Sequence, residues 1–399
     1  EKKQAVYKRR QSPARVLDNA TEDSVLMDAA FTAQGYGSYS YWIRYYQRRA
    51  AGFEFWLRAL WEKNSPDIVV IWNGMWHYEK LAERVAIEKG IQTVFMENGY
   101  FPGTAHIDPV GVNAKAEIRG LSWDKLAADV TEDSLIDFMK QLRSSFGELK
   151  RYSQADDLVN TLSFFRKGLV LGEVLFCDIP FIFFEFISKL KIHLKAKRRR
   201  KVQHSDEPLP KRYLFLPLQV AHDSQLILNS PWIHSPQEVI EAVVEAAAVL
   251  DQTLTVVVKE HPMEDAQICF RGVREKYPAI HWASRGSLEE LVQGAEFVVN
   301  VNSSVGFHAL LFGTPVVCLG TSLYARAGLA FACLKKEMLV DVMRKALEED
   351  VDWRLVARFA LTLHKEYCVP YTRGAIQKND VKAACAFLCQ RYIGQLSGQ

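Results

Sequence analysis

The sequence predicts an α/β chain of two units, each built on a parallel sheet, and three observations carry that reading. Residues 67–99 alternate strand, helix and strand, the same alternation restarts after residue 210, and the stretch between them changes composition abruptly twice. The 399 residues are 49% hydrophobic, 24% charged and 12% aromatic, which suits two cores of ordinary domain size and excludes disordered and collagen-like chains. Fifty Lys and Arg against 47 Asp and Glu leave a formal net charge of +3, too little to make the whole surface a nucleic-acid footprint, so no nucleic-acid partner is expected. The seven cysteines are odd in number and form no C-x-x-C pair, which points to a reducing compartment and buried thiols. Cys385 and Cys389 stand at helical spacing and read as core positions.

The chain opens on EKKQAVYKRRQ, polar and basic where a secretory signal is apolar, so it is expected to stay inside the cell. It starts without a methionine and has no strand-like run before Asp67, so the first unit is expected to lack part of its N-terminal end. Residues 40–62 space aromatic and aliphatic side chains at helical intervals, as a core-facing amphipathic helix does. DIVVIWNG (67–74) reads as a strand, HYEKLAERVAIEKG (77–90) as a helix closed by a glycine, and IQTVFMENG (91–99) as a second strand. That order makes a parallel crossover, and it brings Asn73, Gly74, Glu97, Asn98 and Gly99 just past the strand ends, where such sheets keep functional residues.

Residues 121–160 read as polar helices. Gly168–Ser188 is strongly apolar but broken by Glu173, Asp178, Pro180 and Glu185, too interrupted to span a membrane. Lys189–Lys201 follows with eight Lys and Arg and no acid. Together, residues 168–201 suit an interfacial anchor on an anionic membrane surface better than a buried helix followed by a solvated linker. After a linker at 202–210 the second unit reads as strand 211–220, helix 236–250, strand 254–262, helix 287–295, and strand, turn, helix, strand over 296–320. Helices beyond 335 are expected to pack back across both units. The plan is then an N-terminal domain over 1–160, the membrane segment and linker over 161–210, a second domain over 211–340 and C-terminal helices over 341–399. Two Rossmann-like domains with parallel sheets facing an interdomain cleft form a GT-B-like architecture, with ligands bound in the cleft.

Four loops carry the chemistry expected at that cleft. Lys259, Glu260, His261 and Pro262 follow a buried strand and offer a cation and an imidazole to a phosphate, although a His-Pro pair alone also reads as a plain turn. Asn302, Ser303, Ser304, Val305 and Gly306 sit between a strand and a helix, where hydroxyls and backbone N–H groups form an anion site or simply cap the helix. The two loops stand at the ends of strands read as one helix apart, so both are expected to grip one phosphate. PLQVAHDSQ (217–225) presents Gln219, His222, Asp223 and Gln225. Glu97 stands on the opposite unit, and a carboxylate from each side of a cleft is what glycosyl transfer needs.

GIQTVFMENGYFPGTAHID with GVN at 111–113, FLPLQVAHDSQLILNSPW, VVVKEHP, and NSSVGFHALLFGTPVVCLG running into YARAGLA occur in this order between Asp67 and Leu329. This set resembles the bacterial capsule polysaccharide synthesis family, retaining β-Kdo glycosyltransferases that use CMP-Kdo. The resemblance implies CMP-Kdo as donor, with His261, Ser303 and Ser304 on its phosphate; from the loops themselves Lys259, Pro262, Asn302, Gly306, Gln219 and Gln225 are expected to complete the donor site. It implies Asp223 and Glu97 as the catalytic carboxylates. It also implies a lipid or glycan acceptor, a cytoplasmic enzyme peripheral at the inner face of the inner membrane, and other capsule-assembly proteins as partners. Two features depart from the pattern. The complete N-terminal βαβ unit with its glycine-rich loop is absent or unrecognisable in this sequence, and His308 stands where many two-Rossmann transferases place a glutamate for the donor ribose.

No cofactor and no metal are expected, since a leaving group with one phosphate is neutralised by fixed cations and helix-terminus donors. Asp350-Val351-Asp352 is the one D-x-D and reads as a helix start, and no Walker loop or G-x-G-x-x-G is present. Two other readings remain: a transferase of the same architecture using CMP-sialic acid or a UDP-sugar, and a non-catalytic capsule-assembly component.

Overall fold

The computed structural model describes residues 19–36, 39–127, 129–146, 208–220, 224–261, 270–283, 286–372 and 378–393. The expected membrane segment at 168–201, His222, Asp223 and Pro262 lie outside the described residues, as do Cys177 and Cys269.

The first unit opens on two long helices, α1 (Asn19–Tyr36) and α2 (Tyr39–Asn64). Helical spacing brings Trp42, Ala50, Leu57 and Trp61 of α2 to one buried face, while Tyr41, Phe55 and Trp56 stay exposed on the other. Strand β1 (Ile68–Trp72), α3 (His77–Glu88) and β2 (Gln92–Asn98) follow, with β1 and β2 parallel from Ile68↔Gln92 to Trp72↔Met96. Beyond β2 the chain reverses. Strand β3 (Thr104–Asp108) pairs antiparallel with β2, because the Gly99 N–H bonds back to the Thr104 carbonyl at 2.9 Å across a tight loop. Gly99 has no room for a side chain against Thr104, and Gly103 adopts φ +65°. A loop this short cannot carry a crossover, so parallel pairing in the first sheet is confined to β1 and β2.

Short 3₁₀ turns between Asn113 and Lys125 lead to α4 (Glu132–Phe146). The second unit then runs β4 (Tyr213–Pro217), α5 (Ser224–Asn229), α6 (Pro236–Leu250), β5 (Thr255–Lys259), α7 (Arg271–Lys276), β6 (His281–Trp282), α8 (Leu288–Gln293), β7 (Phe297–Asn300), α9 (Ser304–Phe312), β8 (Val316–Cys318) and β9 (Phe331–Ala332). Its sheet order is β6-β5-β4-β7-β8-β9, with every pairing parallel. Ser235 caps α6 by accepting the Glu238 N–H at 3.2 Å, and Pro236 fills the first turn where no donor is needed. The one-helix spacing expected between the two phosphate loops is corrected here. Helix α7, strand β6 and helix α8 intervene in the chain, and β4 separates β5 from β7 in the sheet.

The chain ends with α10 (Leu339–Glu348), α11 (Trp353–Tyr367), β10 (Cys368–Pro370) and α12 (Lys378–Leu388). Asp352 caps α11, its carboxylate accepting the Arg354 and Leu355 N–H groups at 3.0 and 3.2 Å, so the D-x-D is a helix start. Strand β10 returns to the first sheet, pairing Val369 with Ala105 of β3. One face of the second sheet packs Leu214, Val256 and Val299 under α6 and α10. On the other, Phe215, Val257 and Val298 share a core with Phe307, Phe359, Leu135 and Met139, and with Tyr100, Phe101 and Ile118 of the first unit. That shared core ties the two units together. Helix α4 belongs to it, Arg143 donating to the Leu311 carbonyl at 2.6 Å.

The buried-thiol expectation holds for Cys318 and Cys333 and fails for Cys385 and Cys389, which are exposed. Helix α12 is peripheral and buries Leu388 alone, so a pair one turn apart comes to face solvent. Among the described residues no helix is long and apolar enough to cross a membrane.

Candidate functional site

At the C-terminal edge of the second sheet, three strand ends lie side by side. The Leu218 N–H bonds to the Lys259 carbonyl at 2.9 Å, joining the ends of β4 and β5. The Gln219 amide pairs reciprocally with Asn302, donating to its Oδ1 at 2.9 Å and accepting its backbone N–H at 3.2 Å, which joins β4 to the loop after β7. Gln219 and Asn302 are both buried, and each satisfies a group that would otherwise be costly there.

Asn300 and Tyr324, which sequence reasoning passed over, shape that loop. Asn300 is fully buried, and its Oδ1 accepts the Ser303 N–H at 2.9 Å and lies 3.0 Å from the Tyr324 hydroxyl. The same hydroxyl reaches the Ser303 carbonyl. Burial pushes the Tyr324 phenol well above its ordinary range, so it remains a hydrogen-bond donor. Ser303 caps α9, its Oγ accepting the Val305 N–H at 3.3 Å. Ser304 and Gly306 form the first turn, and Gly306 has no alternative, because a Cβ there would strike both Tyr324 and the Asn300 amide. The arrangement leaves the N-terminus of a nine-residue helix at the sheet edge, a place where the helix dipole favours an anion. Lys259 donates to the Gly286 carbonyl at 3.3 Å, and His261 is exposed beyond it. Gln225 lies in α5, which starts directly after Asp223.

On the first unit, Glu97 is half-buried at the end of β2 and held from two sides. Asn73 donates to its Oε2, and the Asn98 backbone N–H and side-chain amide reach Oε1 at 2.8 and 2.9 Å. Asn73 stands at φ +63° and Gly74 at φ +75°, and a Cβ on Gly74 would lie 2.7 Å from the Phe95 ring. The strained turn is what aims Asn73 at the carboxylate.

Glu79, in the first turn of α3, accepts the Met75 and Trp76 N–H groups at 2.8 and 3.0 Å. Burial raises its pKa to about 7, and the charges of Glu97 and Asp28 add to the rise. Beside it, buried Asp28 accepts both the backbone N–H (3.2 Å) and the Nδ1–H of His77. A native pKa above the unfolded 4.5 means that the folded state holds this proton more tightly, so the associated stability is present at low pH and lost as pH rises towards 7. Glu79→Gln is expected to be more stable than the native protein near pH ~8, by on the order of 2–3 kcal/mol, with the gain gone near pH ~4. Urea unfolding across that range checks it, and a gain independent of pH would overturn it.

The two edges are joined directly. Tyr100, three residues past Glu97, sets its ring against Phe307 and Tyr324 at centroid distances of 5.4 and 6.5 Å. Its carbonyl accepts the Nε2–H of His308 at 3.2 Å. Burial lowers the His308 pKa to about 4, which keeps the imidazole neutral in this tie. The Glu97 turn thus rests on the helix and the tyrosine that form the Ser303 loop. Of the expected site residues, Gln219, Asn302, Ser303, Ser304 and Gly306 come together, Lys259 adjoins them through β4, and Glu97 stands across the Tyr100 contact. The position of Glu79, third in a helix that follows a strand end, was the available signal for it. Nothing local to Asp28 announces a partner 49 residues away. Among the described residues no group of three or more His, Cys, Asp or Glu is placed to hold a metal.

The family model described as capsule polysaccharide biosynthesis protein matches residues 67–339. Protein FixF of Sinorhizobium fredii is 28% identical over 257 residues, which are 64% of this chain and 49% of FixF, so the chain spans about half the length of that relative. The capsule polysaccharide export protein KpsS of Escherichia coli is 22% identical over 323 residues, 73% of this chain and 76% of KpsS. Among solved structures, the KpsC β-Kdo 2,7 transferase of Thermosulfurimonas dismutans aligns with a TM-score of 0.45 at 18% identity, covering 84% of this chain and 88% of its own.

Proposed function

We propose, from the premise that the chain belongs to the capsule polysaccharide biosynthesis protein family, that it is a retaining glycosyltransferase moving Kdo from CMP-Kdo to a lipid or glycan acceptor. The observation that supports this reading is the Tyr100 contact: three residues past Glu97, its ring packs against Phe307 and against Tyr324, whose hydroxyl holds the Ser303 loop. An anion site paired with a carboxylate across two sheet edges supplies what sugar transfer requires: a place for the leaving phosphate and a base for the incoming hydroxyl. The first turn of α9 with Ser303 and Ser304, helped by His261 and Lys259, receives the phosphate. Gln219 and Asn302 fix the loop that presents it. Glu97 takes the acceptor proton. In this reading residues 168–201 hold the enzyme against anionic lipid at the cytoplasmic face of the membrane.

Incubation with CMP-Kdo, CMP-sialic acid and UDP-N-acetylglucosamine, each with candidate acceptors, tests the donor. Consumption of CMP-Kdo alone, with a β-linked product, is expected. Turnover of a UDP-sugar in its place would overturn the donor assignment, and no turnover of any donor would favour an assembly role. His261→Ala is expected to weaken CMP binding by about 10–100-fold, the loss of one charge-assisted contact, while leaving the fold intact. Calorimetry with CMP reads this directly, and unchanged affinity would remove His261 from the phosphate.

A further inference from the structure

Val110 and residues 114–117 and 119–121 of the first unit, with Ala325 and Arg326 of the second, line a groove of about 690 Å³. Lys115, Arg119 and Arg326 line it with a single carboxylate, Glu117, which is already engaged by the Tyr367 hydroxyl at 2.7 Å. The Arg326 guanidinium is fixed, lying over the Trp123 ring at 4.0 Å from its centroid and donating to the Ile118 and Leu121 carbonyls at 3.2 and 2.8 Å. The Arg119 Nε is buried with no hydrogen-bond partner. Desolvation and the charge of Arg119 both lower the Arg326 pKa, as expected of two cations held close with no anion between them. Lys115, on the exposed rim, feels Lys80 and Glu83, and Glu83 is itself paired with Lys80 at 2.6 Å. The fold therefore holds three cations against one carboxylate around an open space, an excess of positive charge that costs stability unless an anion comes to it.

We propose that this groove is an oxyanion-binding subsite that takes a phosphate or sugar carboxylate carried by the acceptor. Its position suits that role. Ala325 directly follows Tyr324, whose hydroxyl holds the Ser303 loop, and Asn113 accepts the Tyr100 hydroxyl at 3.0 Å, three residues past Glu97. An acidic acceptor anchored by Arg119 and Arg326 lies one loop away from both the proposed base and the proposed donor site. The planar guanidinium forks suit either oxyanion, and Lys115 adds a point charge at the mouth. Naming the acceptor as carrier rests on the sugar-transfer reading, whereas the anion site rests on the groove alone.

The test uses the intact protein without donor, titrated with glycerol 3-phosphate, methyl β-D-glucuronide and neutral methyl β-D-glucoside at low salt and followed by NMR. Lys115→Gln/Arg119→Gln is the matched variant, because neither side chain makes a hydrogen bond that the fold uses, and its unfolding temperature checks that the fold persists. Binding of at least one charged ligand is expected, at least tenfold weaker in the variant and weaker with added salt, with the glucoside not binding. Preference for the phosphate identifies a phosphorylated acceptor, and preference for the glucuronide an acidic glycan. Equal binding of the neutral glucoside, no binding of either charged ligand, or equal affinity in the variant would overturn the subsite. Loss of the transfer reading shows separately, as absent turnover of CMP-Kdo by a protein that still binds the anion.

Discussion

Glu97→Gln is expected to reduce sugar transfer by about 10²–10⁴-fold while CMP affinity stays unchanged. The fold accepts the change. Glutamine keeps one oxygen for the Asn98 N–H and amide, and its new NH₂ group meets Asn73, whose Nδ2 now donates to Oε2 and whose Oδ1 is buried without a partner. Rotating the Asn73 amide by half a turn turns that idle oxygen into the acceptor, so the local network survives with the base removed. A second readout separates chemistry from scaffold. The charge of Glu97 is one of the causes that raise Glu79, after burial itself, so neutralising Glu97 lowers the Glu79 pKa and moves the stability step that it governs to lower pH. Transfer that persists in a folded Glu97→Gln protein would show that another group takes the acceptor proton, and an unmoved stability step would show that the two carboxylates do not sense each other.

The parts of this architecture that were legible are those written in local pattern. The helix over 236–250 was read with its bounds, because Ser235 and Pro236 announce its start and its apolar residues recur with helical period. The strands at 255–259 and 297–300 are uninterrupted β-branched and apolar runs, as a sheet covered on both faces demands. The same logic singles out Glu97 and Ser303, which the structure places at the end of β2 and at the start of α9. Strand β6 escaped because it is two residues long and α7 because RGVREK carries no apolar stripe. The reversal after β2 depends on Gly99 closing against Thr104, and the allegiance of α4 to the second sheet depends on packing with α9 and α11. Neither leaves a periodic trace. The Asp28–His77 pair and the Tyr100–Tyr324 contact are long-range for the same reason, and they show that a pattern places residues at an edge but not which edges meet.

Asp223→Ala is expected to abolish transfer, beyond the loss produced by removing an acid–base helper, while CMP still binds. Asp223 lies outside the described residues, and its assignment starts from the stereochemistry of the proposed reaction. Keeping the anomeric configuration requires two inversions, and two inversions require a group on the enzyme that bonds to the anomeric carbon. In the first step a carboxylate oxygen attacks that carbon, the bond to the CMP phosphate oxygen breaks, and CMP departs with the electron pair into the cations and N–H donors at α9. In the second the acceptor oxygen, losing its proton to Glu97, displaces the carboxylate, which leaves unchanged. In the sequence Asp223 stands four residues after Gln219, whose amide is bonded to Asn302, and immediately before α5. Glu97, clasped by two asparagines on the opposite unit, suits the base, whereas a nucleophile must close on the sugar. Brief exposure of the native enzyme to CMP-Kdo, followed by mass spectrometry of its peptides, is expected to find the sugar on the fragment containing Asp223. An adduct on the Glu97 fragment would exchange the two roles, and an inverted product anomer would end the covalent scheme.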